Sequence, residues 1–120
     1  MSEINLRNYA HLGDAVWELF VREHTIEMCI KPKELHKVTT EKVKASYQAK
    51  VLEQLEAELT EEEKEIKRRA RNMEVPISRR NNQNEYRHAT AFEALLGYWY
   101  REDKIRLEYI LSKLKKEILK

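Results

Sequence analysis

A chain of 120 residues and 14.5 kDa suits one hydrophobic core and excludes two independently folded modules. With 42% hydrophobic and 37% charged residues the composition is that of a globular domain, and no run reaches the roughly 18 apolar residues of a membrane span. The net charge of +2 does not announce a polyanionic partner, so charge has to be read segment by segment.

Met1 to Leu6 is polar and lacks the apolar region of a secretion signal, and the lone Cys29 has no partner for an internal disulfide, which together predict a reducing, cytoplasmic setting. Two Gly and two Pro leave few places for tight turns, and the abundance of charge suits solvated helix faces, so an all-α domain is expected over 1–120. The first helix is predicted from about Tyr9 to Met28, with Leu12, Val16, Leu19 and Phe20 as its buried stripe. Pro32 opens a short helical segment of a turn or two around Glu34 and Leu35. Thr39 or Thr40 is the expected N-cap of the next helix, which buries Val43, Tyr47, Val51 and Leu55 and ends near Leu59. Thr60 followed by Glu61, Glu62 and Glu63 reads as a capping box opening a fourth helix. From Lys64 to Arg80 the chain turns basic and loses its apolar pattern, and 73–84, with Pro76 and the Asn81 to Asn84 run, reads as a flexible basic loop. Periodicity resumes near Glu85 with Phe92, Leu95, Leu96 and Trp99 on one face, and a last helix carries Leu107, Leu111, Leu114 and Ile118.

The two glycines are informative because each lies inside a helical pattern, where Gly costs roughly 1 kcal/mol relative to Ala and needs a packing reason. Gly13 precedes Asp14, and Gly97 lies one turn after Glu93 among the small residues Ala89, Thr90 and Ala94. Helices crossing at the glycines would turn Asp14 and Glu93 into a common cleft, where two carboxylates hold a divalent metal. The plainer alternative is that both acids are solvated and the glycines only relieve crowding.

His11-Leu12-Gly13-Asp14-Ala15-Val16 and Thr90-Ala91-Phe92-Glu93-Ala94-Leu95-Leu96-Gly97-Tyr98 resemble the two signature segments of the ribonuclease III catalytic domain. Lys33 to Lys37, Arg69 to Asn72 and Tyr86-Arg87 resemble stretches of its short bacterial branch, the Mini-ribonuclease III proteins, as does the expected lack of a double-stranded-RNA-binding domain after the last helix. The resemblance covers almost the whole chain and implies an all-α endonuclease domain. It also implies a metal-dependent phosphodiester hydrolase acting on double-stranded or structured RNA, with ribosomal RNA precursors as the expected substrate. Asp14 and Glu93 align with the acids that bind the catalytic cation, Mg²⁺ or Mn²⁺. Full-length members carry further carboxylates where this chain has Ala10 and Thr90, so the cation would depend more on water and substrate phosphate. Glu18, one turn after Asp14, is a candidate third acid or else a partner for a nearby Arg or Lys.

Duplex RNA is bound chiefly through phosphates and helix shape, which assigns Arg68, Arg69, Arg71, Asn72, Arg79 and Arg80 as candidate contacts. Their alternative role is pairing with the acidic stretch Glu56 to Glu63. His11, His24, His36 and His88 show no zinc spacing, and Trp17, Trp99, Tyr98 and Tyr100 read as core or interface rather than as a base-stacking platform. Cutting both strands of a duplex calls for a two-fold homodimer, for which the apolar residues of the first helix and of the helix bearing Trp99 are available. The competing reading is a catalytically inactive double-stranded-RNA-binding scaffold, to which the missing acids at 10 and 90 would point.

Overall fold

Glu3–Thr25 forms one helix, α1, continued by a 3-10 turn at Ile26–Met28. The computed structural model describes residues 3–28 and 31–118, so Cys29 lies outside the described residues. Pro32–Val43 is α2, Ala45–Leu55 is α3, Glu61–Arg71 is α4, Gln83–Glu102 is α5 and Lys104–Ile118 is α6. Among the described residues there is no strand, and no helix is long and apolar enough to cross a membrane.

The architecture follows from α5, whose Ala91, Phe92, Ala94, Leu95, Leu96 and Trp99 have no exposed surface. Apolar side chains all round mean that a helix must be surrounded. α1, α3, α4 and α6 all pack on α5. Trp17 of α1 meets Phe92 edge to face with centroids 5.0 Å apart, and its indole N–H donates to the Lys42 carbonyl at 2.8 Å, so this fully buried ring leaves no donor unpaired. Trp99 reaches Glu63 in the same way, at 2.9 Å.

Glu63 shows how a local signal and a tertiary one coincide. Its carboxylate accepts from the Thr60 backbone N–H while Thr60 Oγ1 accepts from the Glu63 N–H, which is the capping box expected at the start of α4. Arg106 of α6 completes the set with Nε and Nη2 donating to the same carboxylate at 3.0 and 2.8 Å. Burial opposes the ionised form, but the bonds from Arg106, Thr60 and Trp99 outweigh it and hold Glu63 below the usual carboxylate range. The start of α4 is thereby bound to α5 and α6.

Several sequence expectations need correction. The buried side of α1 is Leu6, Ala10, Trp17, Phe20 and Val21, while Leu12 and Val16 are half-buried and Leu19 is 60% exposed. The stripe is rotated because Gly13, not Leu12, faces α5. Segment α2 is a full twelve-residue helix rather than a turn or two. Thr39 and Thr40 sit inside it instead of capping α3: Thr39 Oγ1 bonds Thr25 Oγ1 of α1 at 3.0 Å, and Thr40 Oγ1 donates back to the His36 carbonyl at 2.8 Å. Those local and tertiary partners replace the capping role, and α3 starts after Lys44 with no side-chain cap.

The basic stretch keeps apolar anchors, since Ile66 and Ala70 of α4 and Met73 and Val75 after it are buried. Within 73–84, expected as a flexible basic loop, the chain forms an exposed 3-10 helix at Ile77–Asn82 and then enters α5 at Gln83. Arg87 of α5 fastens its start, donating Nη1 to the carbonyls of Arg71 at 2.8 Å and Met73 at 2.9 Å. On α5 the core takes up Phe92, Leu95, Leu96 and Trp99, while Tyr100 of α5 and Leu19 of α1 stay exposed.

Candidate active site

α1 and α5 touch backbone to backbone at the two glycines. A Cβ on Gly13 would lie 1.7 Å from the Glu93 carbonyl oxygen, and one on Gly97 would lie 1.8 Å from the Tyr9 carbonyl oxygen. Each glycine thus rests on the carbonyl of the residue one turn from the other glycine, and the helices cross there in antiparallel sense. No other residue permits such an approach. The consequence is chemical: Asp14 follows Gly13, Glu93 supplies the carbonyl Gly13 rests on, and the two carboxyl groups share a hydrogen bond. They line a cleft of about 230 Å³ whose walls include His11 and Ala10 of α1, Thr90 and Tyr86 of α5, Met73 and Arg7.

The electrostatics of the pair are unfavourable as they stand. Burial, the negative charge of Asp14 and the hydrogen bond with Asp14 push the Glu93 carboxyl up to about 8, with a bond from Gln48 of α3 acting in the opposite direction. A half-buried carboxyl facing another acid stays protonated near neutrality unless a cation joins it. Hard oxygen donors suit Mg²⁺ or Mn²⁺, and Mg²⁺ is commonly held by one or two carboxylates with waters and phosphate completing its shell. Among the described residues no group of three or more His, Cys, Asp or Glu side chains could hold a metal, so the donor set fits such a water-rich cation and does not fit a fully protein-ligated one.

Glu18 is not part of this cleft. Its carboxylate pairs with Arg22 at 2.6 Å, the structural role open to an acid one turn before a cation. The basic candidates divide. Arg79 stacks on Tyr86 at 5.7 Å from the ring centroid, and Tyr86 lines the acid cleft. Arg80 lines an adjoining recess that shares Arg7 with the cleft. Arg68, by contrast, makes a two-point bond with Glu65 at 3.0 and 2.5 Å on the α4 surface. Arg69 and Arg71 are half-buried in the same last turn, and Asn72 caps α4 through its backbone.

Arg7, His11, Tyr86 and Gln48 have no place in the site expected from sequence, although His11 and Tyr86 stand within or beside its signature segments. The signal for the first two is helical spacing, because residues 7, 11 and 14 lie on one side of α1. Tyr86, Thr90 and Glu93 repeat the same spacing on α5. Nothing in the sequence marks Gln48, which comes from another helix.

The ribonuclease III domain family matches residues 7–104. A Mini-ribonuclease 3 of Gloeobacter violaceus is 45% identical over 108 residues, covering 90% of this chain and 80% of the relative. A Mini-ribonuclease 3 of Brevibacillus brevis is 45% identical over 97 residues, covering 79% and 72%. The crystal structure of a Fusobacterium nucleatum protein superimposes with a TM-score of 0.80 at 32% identity, covering 93% of this chain and 92% of that one.

Proposed function

Since the chain belongs to the ribonuclease III family and is an endoribonuclease, we propose that it hydrolyses double-stranded or structured RNA using a divalent cation held between Asp14 and Glu93. The observation that carries this reading is the glycine contact, which brings two acids far apart in sequence into one cleft. Both carboxylates would hold the cation as ligands rather than act as nucleophiles, Glu93 in its ionised form. When bound there, Mg²⁺ would supply an activated water and offset charge on the leaving 3′ oxygen. Arg79 and Arg80 bind phosphates beside the cleft and set the duplex across it. Precursor ribosomal RNA in the cytoplasm is the substrate we favour, a choice that rests on the likeness to the short bacterial branch. One cleft cuts one strand, so cleavage of both strands calls for a homodimer with two facing clefts.

The test is incubation of the purified protein with long duplex RNA, with and without Mg²⁺. Metal-dependent shortening is expected, whereas binding without cutting would contradict the reading. Replacing both Arg79 and Arg80 by Ala should weaken duplex binding and flatten the dependence of log K on log salt by about one unit for every phosphate that is no longer neutralised. A salt slope equal to that of the parent protein would remove these two residues from the interface.

A further inference from the structure

Gln48 of α3 is 3% exposed, in the helix that packs against α5 beside Glu93. Its Nε2 donates to the Val43 carbonyl at 2.8 Å, and its carboxamide acts on the Glu93 carboxyl in favour of the ionised form. The orientation of the amide is fixed by chemistry, since reversing it would set Oε1 against the Val43 carbonyl oxygen. That leaves Oε1 as the buried side-chain atom, among the described residues, with no hydrogen-bond partner. Buried acceptors almost always have a donor, and an orphan calls for an unplaced water or ligand.

We propose that Gln48 is a positioning residue for the acidic pair: anchored on the Val43 carbonyl, it steadies the Glu93 carboxylate towards Asp14, and its unpartnered Oε1 would take a donor from water drawn into the site with the cation. The inference rests on the metal site proposed above and adds the support behind it. Neither contact makes Gln48 a ligand. A metal-ligating carboxylate held by a hydrogen bond from behind has less freedom to lose when the metal binds, and such supporting partners typically affect metal affinity about 10- to 100-fold.

Mn²⁺ binding followed by the loss of its free-ion electron paramagnetic resonance signal separates this inference from its premise. Wild type, Gln48→Leu, Asp14→Asn and Glu93→Gln would be compared, with duplex RNA affinity in EDTA as a measure of the intact surface. The expected result is Mn²⁺ affinity lowered about tenfold in Gln48→Leu, with metal-free RNA affinity kept, and largely lost in the two acid variants. Wild-type Mn²⁺ affinity in Gln48→Leu, beside loss in the acid variants, would overturn the role of Gln48 and leave the metal site standing. Equal binding by wild type and both acid variants would overturn the site and this inference together. Should Gln48→Leu fail to fold, the side-chain amide resonances of Gln48 in the wild-type protein decide the matter: they should shift on Mg²⁺ addition, and resonances indifferent to Mg²⁺ would refute the proposal.

Discussion

Glu93→Gln is expected to abolish Mg²⁺-dependent cleavage of duplex RNA and at the same time to raise the melting temperature of the metal-free protein at pH 8. The loss follows from the role of the carboxylate as a cation ligand. An electrophilic metal contributes several kcal/mol to such a reaction, so a fall of at least about a thousandfold is expected, with Asp14→Asn behaving alike in activity. The gain in stability has a separate origin. Glu93 is raised from 4.5 to about 8, by burial first and then by Asp14. A group bound to a proton in the folded state and not in the unfolded one lowers stability progressively as pH rises. Its contribution is therefore fully present below about 4.5 and is lost as pH rises through about 8. Gln carries no charge, so the variant lacks this slope. Thermal unfolding in EDTA across pH 4 to 9 should show the two proteins converging at the acid end and separating towards pH 8, by an amount on the order of a few kcal/mol. Parallel curves would show that Glu93 is not held protonated by its surroundings. The same proton must leave when a cation binds, so Mg²⁺ affinity should rise with pH up to about 8.

Gly13→Ala is expected to be among the most damaging single substitutions in the chain, although Ala is the better helix former by about 1 kcal/mol. The added methyl would lie 1.7 Å from the Glu93 carbonyl oxygen, which is backbone and has no rotamer by which to retreat. Either α1 and α5 separate or the chain unfolds. Overpacking of this kind costs about 3 kcal/mol or more, a large share of the roughly 5–15 kcal/mol that holds a domain together. Gly97→Ala should act similarly through the Tyr9 carbonyl at 1.8 Å. Urea denaturation measures both effects, and a variant as stable as the parent would show that the helices do not approach as closely as described. Where the variant still folds, separation of the helices also parts Asp14 from Glu93, so cation affinity should fall with stability.

This coupling explains why the acid pair is legible in the sequence. Glycine within a helix is a local penalty, and two such penalties beside two acids ask for one tertiary explanation, which the crossing of α1 and α5 supplies. Thr60 and Glu63 are equally readable because a capping box is closed within four residues. Thr39 and Thr40 are not, since a threonine hydroxyl satisfies a helix terminus, an earlier carbonyl or another helix with equal ease, and here the last two prevail. The rotated stripe of α1 has the same cause as the site itself. Close backbone contact needs the smallest side chain inward, and this turns Leu12 partly aside and leaves Leu19 in solvent. Gln48 lies beyond sequence reasoning because its relation to Glu93 exists only through the packing of α3 on α5. Among the basic residues, composition marks the segment but not the division within it, since only folding shows Arg68 engaged with Glu65 while Arg79 stacks over a ring of the acid cleft.

The most direct measurement of the account is the anomalous scattering of Mn²⁺ in crystals of the protein. One peak is expected in the cleft between Asp14 and Glu93, within coordination distance of an oxygen from each and absent from crystals of Glu93→Gln. A cation seated elsewhere on the molecule, with the two carboxyl groups left bonded to each other, would contradict it.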